Sequence, residues 1–292
     1  MKRIGYGVVK LWAYMQAILP FWLLYVKSDV VCFIVYHIVR YRRRVVRSNL
    51  LNSFPDKNEK EIKKIEKRFY RNLCDLVFEV CKILTQDSDR LAKRVTFKNS
   101  EVVQSLYDRN KSLFVALPHS GNWEWFGKLM HRFTQHKVSA IYKRVENPAF
   151  DAFMLDIRTN YHIDMEQMIE SRTAFRELVK RKDYCNICFI VADQSPRGVE
   201  SDYWTEFLHQ DTCWFTGMER MAKSLDYAVV FVEMNRVGRG RYEVCFKQIT
   251  DQPINTETGY ITEQYARMIE RFVNENPDNW LWSHRRWKHK RA

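Results

Sequence analysis

Between Asn58 and Ile83, apolar residues recur at intervals of three and four (Ile62, Ile65, Phe69, Leu73, Leu76, Val80, Ile83), the spacing that lines one face of a helix. Asn58 followed by Glu61 is a capping-box signal, so a long amphipathic helix is predicted to start there. Unbroken apolar runs mark buried strands instead: LFVAL from Leu113 to Leu117, closed by Pro118, and CFIVAD from Cys188 to Asp193. Helices are predicted for WEWFGKLMHRF after the turn HSGN, for about Ala149 to Asn160, for Thr173 to Lys182 and for Ile261 to Asn274. YAVVFVEMNR and RYEVCFKQI flank Val-Gly-Arg-Gly and predict an antiparallel hairpin. Strands alternating with helices, with one hairpin among them, predict an α/β fold built on a mixed β-sheet flanked by helices.

The N-terminal segment follows another pattern. Leu11 to Val26 read LWAYMQAILPFWLLYV without a charge, between Lys10 and Lys27, and a second apolar run from Val30 to Val39 ends in RYRRRVVR, Arg40 to Arg47. The first run approaches the length of a membrane span. Pro20 and the charged gap at Lys27 and Asp29 argue against one straight spanning helix. Trp12, Tyr14, Trp22, Tyr25, Tyr36 and Tyr41 suit a membrane interface, and the arginines behind them suit anionic headgroups, at about 1 kcal/mol for each basic residue. The expectation is therefore a division into residues 1–48, membrane-anchoring hydrophobic helices with a basic flank, and residues 49–292, an α/β core domain. A buried first helix followed by a solvated basic turn is the alternative. The positive-inside tendency places everything after Arg40 in the cytoplasm.

Composition narrows the class. Of 292 residues, 46% are hydrophobic and 28% charged, proportions that exclude wholesale disorder, collagen and a multi-span transporter. The net charge of +13 points to nucleic acid, anionic lipid or an acidic protein as partner without choosing among them. Seven scattered cysteines, an odd number in a chain too large to need stapling, point to a reduced compartment. Cys185 and Cys188 form C-x-x-C, but on a strand that offset sends the two side chains to opposite faces, so core packing is expected rather than a metal or redox pair. No metal site is expected.

The most informative stretch is LFVALPHSGNWEW, Leu113 to Trp125. A buried strand delivers His119 at its end, Gly121 permits a tight turn, and Glu124 enters the next helix; ligands gather at such strand ends in α/β sheets. A carboxylate across the turn can orient the imidazole, which makes His119 a candidate general base and Glu124 its partner; a hydrogen-bonded turn histidine is the alternative. Ser120 lacks the context of a nucleophile elbow, so the substrate is expected to bring its own nucleophile.

His119-Ser-Gly-Asn-Trp-Glu124 resembles the His-x-x-x-x-Asp/Glu motif of glycerolipid acyltransferases, in the HxGNWE form of the lipid A late acyltransferase family. YKRVENP, Tyr142 to Pro148, is similar to that family's Y-R-P-x-x-N-P block, with Lys143 and Arg144 where the family has Arg-Pro. ADQSP resembles its strand-end D-Q block, and WLWSHRRWK its C-terminal ending. The resemblance implies acyl transfer from acyl carrier protein or acyl-CoA to a hydroxyl of a lipid A precursor or related glycolipid, at the bacterial inner membrane, without cofactor or metal. It implies that His119 deprotonates the hydroxyl with Glu124 in support, and that backbone N–H groups at Gly121 and Asn122 meet the oxyanion. It places Lys143, Arg144, Asn147, Asp193, Gln194 and Arg285 against the substrate, the basic ones towards phosphate or the acidic carrier protein. A lysophospholipid or aminolipid acceptor is the runner-up. Other readings are a lipid hydrolase using the same base on water, an inactive membrane scaffold, and a basic nucleic-acid-binding protein, which no zinc-finger spacing or RNA-binding motif supports.

Overall fold

Leu113–Leu117 form a strand buried at every residue, as a run apolar on both faces requires. In the computed structural model, which describes residues 2–159, 168–196 and 203–291, this is the central strand of a seven-stranded sheet. The elements run α1 (Lys2–Ile18), α2 (Phe21–Phe33, continuing as a π-turn over Ile34–Val39), α3 (Arg43–Ser53), α4 (Glu59–Cys81), α5 (Ser88–Ala92), β1 (Val95–Lys98), α6 (Glu101–Asp108), β2 (Leu113–Leu117), α7 (Trp123–Leu129), β3 (Lys137–Tyr142), α8 (Pro148–Thr159), β4 (Met168–Glu170), α9 (Ala174–Val179), β5 (Asn186–Val191), β6 (Tyr203–Phe207), β7 (Gln210–Trp214), α10 (Gly217–Leu225), β8 (Ala228–Gly238), β9 (Arg241–Thr250) and α11 (Tyr260–Glu275). Strand order is β1-β9-β8-β2-β5-β3-β4, and every pair is parallel except the β8–β9 hairpin. This is the mixed α/β sheet that the pattern predicts. Apolar clusters cover both faces, one including Trp125, Phe126 and Ile157 of α7 and α8, the other Leu178, Ala222 and Ile269 of α9, α10 and α11.

The register of β2 against β5 decides where their loops emerge. Leu117 pairs with Val191, so the chain leaves both strands at the same height and on the same edge of the sheet. β3 is parallel to β5 and ends on that edge too, which brings the segment after Tyr142 there.

The long helix starts at its capping box as expected: the Asn58 side chain accepts from the Lys60 and Glu61 N–H groups, and Glu61 accepts from the Asn58 N–H. Cys188 is fully buried in β5, with Cys185 half-buried just before the strand. The β6–β7 hairpin has no counterpart among the predicted elements. Its turn places Leu208 and His209 in the left-handed region, at φ 50° and 61°, without the Asn-Gly or Asp-Gly pair that marks such turns.

The N-terminal region departs from expectation in one respect. The chain breaks at Leu19–Pro20, but α2 runs unbroken through Lys27 and Asp29. Both charges are satisfied from outside the helix: Lys27 donates to Gln16 Oε1 at 2.8 Å, and Arg239 donates to Asp29 at 2.7 Å. Ser28 is buried and donates to Asp75 Oδ1 at 2.6 Å. Phe21–Val39 has a mean hydropathy of 1.6 over 19 residues and is mostly not buried, with Leu24, Tyr25, Ser28 and Tyr36 turned inward. That is long and apolar enough to cross a membrane, yet one side of the helix is bolted to α4 and to the β8–β9 hairpin.

Asp75 is the centre of that bolt. It is fully buried and accepts from Ser28, from Arg236 at 2.5 Å and from Arg239 at 2.7 Å. Removing one member of a buried ion group leaves uncompensated charge and costs about 3 to 5 kcal/mol. Asp75→Ala is expected to lose stability on that scale in chemical denaturation, and a change near zero would show that the group is not coupled to folding.

Candidate active site

Asp193 is two residues beyond the end of β5, and His119 two beyond the end of β2, so the 117–191 register sets them side by side. His119 Nδ1 lies 2.5 Å from Asp193 Oδ1, and the His119 backbone N–H donates to Oδ2 at 2.9 Å. The indole Nε1–H of Trp280 also donates to Oδ2, at 2.8 Å. Asp193 is 2% exposed. Burial pushes its carboxyl up, but the charge of His119 and the donors from His119 and Trp280 outweigh burial and hold it below the usual carboxylate value. An ionised Asp193 accepts a hydrogen bond from the Nδ1–H of His119, which leaves Nε2 as the acceptor nitrogen. The Gln194 amide nitrogen lies 3.3 Å from Nε2, and the Trp123 ring packs edge-on at 5.3 Å.

The carboxylate on the imidazole is therefore Asp193, where the sequence pointed to Glu124. Glu124 is 4% exposed and accepts from Arg158 through both oxygens, at 2.7 and 3.2 Å, and from Trp123 Nε1 at 3.1 Å. Burial pushes the Arg158 guanidinium down, and Glu124 more than restores it. Glu124 thus positions an arginine of α8 and the indole that packs on His119.

Gly121 has φ +58°, and a Cβ there would meet the Met234 carbonyl oxygen at 2.6 Å, so the turn requires glycine on two counts. Its N–H donates to Asn279, to Oδ1 at 3.2 Å and to the backbone oxygen at 3.4 Å, which removes it from the expected oxyanion donors. Asn122 is fully buried: its Oδ1 caps α7 by accepting from Trp125 N–H at 3.1 Å, and its Nδ2 donates to Glu79 Oε2 at 3.1 Å. Its side chain is structural, which leaves only its backbone N–H for the expected oxyanion contact. Glu79 also accepts from Tyr25 at 3.1 Å and Tyr242 at 2.5 Å, and burial raises its carboxyl above the usual value.

Lys143 and Arg144 are exposed at the end of β3, and Glu170 lies 3.1 Å from Arg144. Asn147 caps α8, accepting from Ala149 and Phe150 N–H groups at 3.0 and 3.2 Å. In the tail, Arg285 is exposed, whereas Arg286 is 1% exposed and donates to the Cys213 carbonyl at 2.8 Å, so Arg286 is not a surface grip for phosphate or protein. His284 Nε2 accepts from the Ser195 N–H at 3.1 Å. Glu79, Arg158, Asn279 and Trp280 were missed by sequence reasoning. Of these only Trp280 lies in a recognisable motif, the WLWSHRRWK ending.

Residues 3–289 match the bacterial lipid A biosynthesis acyltransferase family. The chain belongs to that family. It is also similar to a lipid A biosynthesis acyltransferase of Haemophilus influenzae, at 22% identity over 256 residues, 84% of this chain and 76% of the relative. This acyltransferase carries His119 and Asp193 on the sheet edge where β2, β5 and β3 all end.

His284 makes the site's stability depend on pH. Burial pushes its imidazole down to about 4; Asp193 opposes this, and the positive charges of His119 and Arg286 add to it. The unfolded chain then binds the proton first, so stability is complete above about 6.5 and falls as pH drops towards 4. Denaturation midpoints at pH 7, 6 and 5 are expected to fall in that order, and His284→Asn to flatten the decline. Parallel curves for the two proteins would remove His284 as the cause.

Proposed function

We propose that this acyltransferase moves a fatty acyl chain from an acyl thioester to a hydroxyl of a lipid A precursor or related glycolipid, with His119 as general base. The observation that carries the reading is the imidazole gripped at Nδ1 by buried Asp193, with the His119 side chain 19% exposed and Nε2 facing only the Gln194 amide among the described residues. The acceptor oxygen attacks the thioester carbonyl carbon while Nε2 takes its proton. The tetrahedral oxyanion then collapses, the C–S bond breaks, and the imidazolium returns the proton to the leaving thiolate. The Gln194 amide, already beside Nε2, hands its place to the acceptor hydroxyl.

Of the two expected oxyanion donors, the Asn122 N–H at the start of α7 remains in this reading, since Gly121 is spent on Asn279. Acyl carrier protein is the proposed donor, with acyl-CoA as the alternative. Lys143, Arg144 and Arg285, exposed on loops and tail around the site edge, are proposed to grip phosphate or the carrier's acidic surface. The relative's name supports a lipid A precursor as acceptor over a lysophospholipid or aminolipid.

The same reading places the enzyme on the cytoplasmic face of the bacterial inner membrane. Leu11, Met15, Ile18, Trp22, Val26 and Phe33 expose apolar side chains on α1 and α2, and Lys63, Lys64, Lys67 and Arg68 of α4 are exposed and basic. An apolar stripe flanked by lysine and arginine suits an anionic leaflet. The bonds that tie Tyr25, Ser28 and Asp29 to the catalytic domain favour α2 lying in the interface over crossing the bilayer.

His119→Ala is expected to lower transfer from acyl carrier protein by about 10²- to 10⁴-fold with the fold intact, and Asp193→Asn to lose a comparable factor. Near-normal turnover in His119→Ala refutes the base assignment, and rapid fatty acid release without acceptor favours a hydrolase. For the membrane face, Trp22→Asp with Phe33→Asp is expected to abolish sedimentation with phosphatidylglycerol vesicles; retained binding would move the membrane contact elsewhere.

A further inference from the structure

The C-terminal tail is fastened to both strand-end loops of the site. The Leu281 N–H donates to the His119 carbonyl at 3.1 Å, Ser120 bridges to Trp280, and Asn279 receives the Gly121 N–H. On the other loop, Ser195 donates through its N–H to His284 and through its hydroxyl to the Arg285 and Arg286 carbonyls. At the centre, Trp280 is 3% exposed and aims its one N–H at the Asp193 oxygen that also accepts the His119 backbone N–H. Its ring is set by Trp282 edge-on at 4.8 Å, Phe207 at 5.9 Å and Trp287 at 6.0 Å.

We infer that Trp280 is a positioning residue for acyl transfer: its indole N–H shares the charge of Asp193 and so sets how strongly that carboxylate holds the proton of His119. The inference rests on the reading of His119 as base. A buried carboxylate has a limited number of donor directions, and each donor it binds lowers the negative charge it offers to the next. With three donors, Asp193 orients the imidazole through Nδ1 without over-stabilising the imidazolium. Deleting the indole N–H leaves more charge for His119, so the coupled pair takes up its proton at a higher pH.

The other titratable groups facing Asp193 among the described residues do not change state near neutrality. His284 stays neutral down to about 4, Arg286 remains charged to about 10, and the buried Tyr265 hydroxyl is pushed well above its ordinary value. None of these three groups therefore supplies an acid limb near neutrality.

The test compares Trp280→Phe with Trp282→Phe in full-length enzyme, using acyl carrier protein thioester as donor. Trp282 is a matched control: it is fully buried beside Trp280, and its Nε1–H donates at 2.6 Å to the Pro277 carbonyl, away from the pair. Trp280→Phe is expected to lower kcat about 10-fold and to move the acid limb of kcat/KM up by on the order of half a unit to one unit. Trp282→Phe keeps an aromatic ring against Trp280 and leaves the Trp280 indole N–H on Asp193, so it is expected to lose stability while the limb stays in place. An unmoved limb in Trp280→Phe, or an equal shift in both variants, overturns the inference.

His119→Ala run alongside separates the two readings. If it keeps activity, the base assignment fails; if it is inactive while Trp280→Phe leaves the limb unmoved, only the role of Trp280 fails. Should Trp280→Phe not fold, the indole N–H resonance of Trp280 in the unsubstituted enzyme, identified by its proximity to His119, decides the matter. Movement of that resonance with the kinetic acid limb supports the coupling, and a pH-independent resonance overturns it.

Discussion

A carboxylate withdrawn from water must be met by donors, or it takes up a proton instead. Asp193, on the loop after β5, is met from three directions, by the His119 ring, the His119 backbone and the Trp280 indole, and these come from the loop after β2 and the C-terminal tail. No one segment could hold it ionised. The parallel pairing of β2 with β5 supplies the first two donors, because it sets His119 and Asp193 at one height. The aromatic packing of Phe207, Trp282 and Trp287 supplies the third by fixing the Trp280 ring. The orientation of the imidazole is thus a property of the whole sheet edge rather than of the motif that contains it.

A second buried carboxylate has the same role one layer further in. Glu79 on α4 holds the amide of Asn122, and that amide's oxygen caps α7, so the turn carrying His119 is braced from behind. Glu79 also accepts from Tyr25 on α2 and from Tyr242 on β9. One helical turn earlier on α4, Asp75 joins Ser28 of α2 to the arginines of the β8–β9 hairpin. The apolar N-terminal helix is therefore packed through polar contacts on one side while its apolar residues stay exposed on the other. Its docking and the shape of the turn carrying His119 share the same buried groups.

Local pattern revealed much of this chain and could not reveal the rest, for a definable reason. The capping box at Asn58, the buried strands LFVAL and CFIVAD, and the hairpin around Val-Gly-Arg-Gly were all legible because each is decided by neighbours in sequence. The β6–β7 hairpin was hidden because Leu208 and His209 take left-handed conformations usually left to glycine and asparagine. Lys27 and Asp29 read as a break because their partners, Gln16 and Arg239, come from outside the helix. The same limit operated in the site. Glu124 was the carboxylate nearest His119 along the chain, whereas Asp193 is nearest in space only once β2 and β5 are known to pair.

Moving the orienting role to Asp193 gives the motif glutamate a different physical task. A guanidinium as buried as that of Arg158 needs a carboxylate close by, and Glu124 meets it with both oxygens while also accepting from Trp123. Trp123 in turn packs edge-on against His119. The spacing from His119 to Glu124 then has a geometric meaning. It carries the chain from the strand end, through the glycine turn, into the first turn of α7, where the glutamate faces α8 instead of the imidazole. The histidine is thus fixed at its nitrogen from the β5 side and along its ring from the α7 side, and Nε2 is left facing the Gln194 amide.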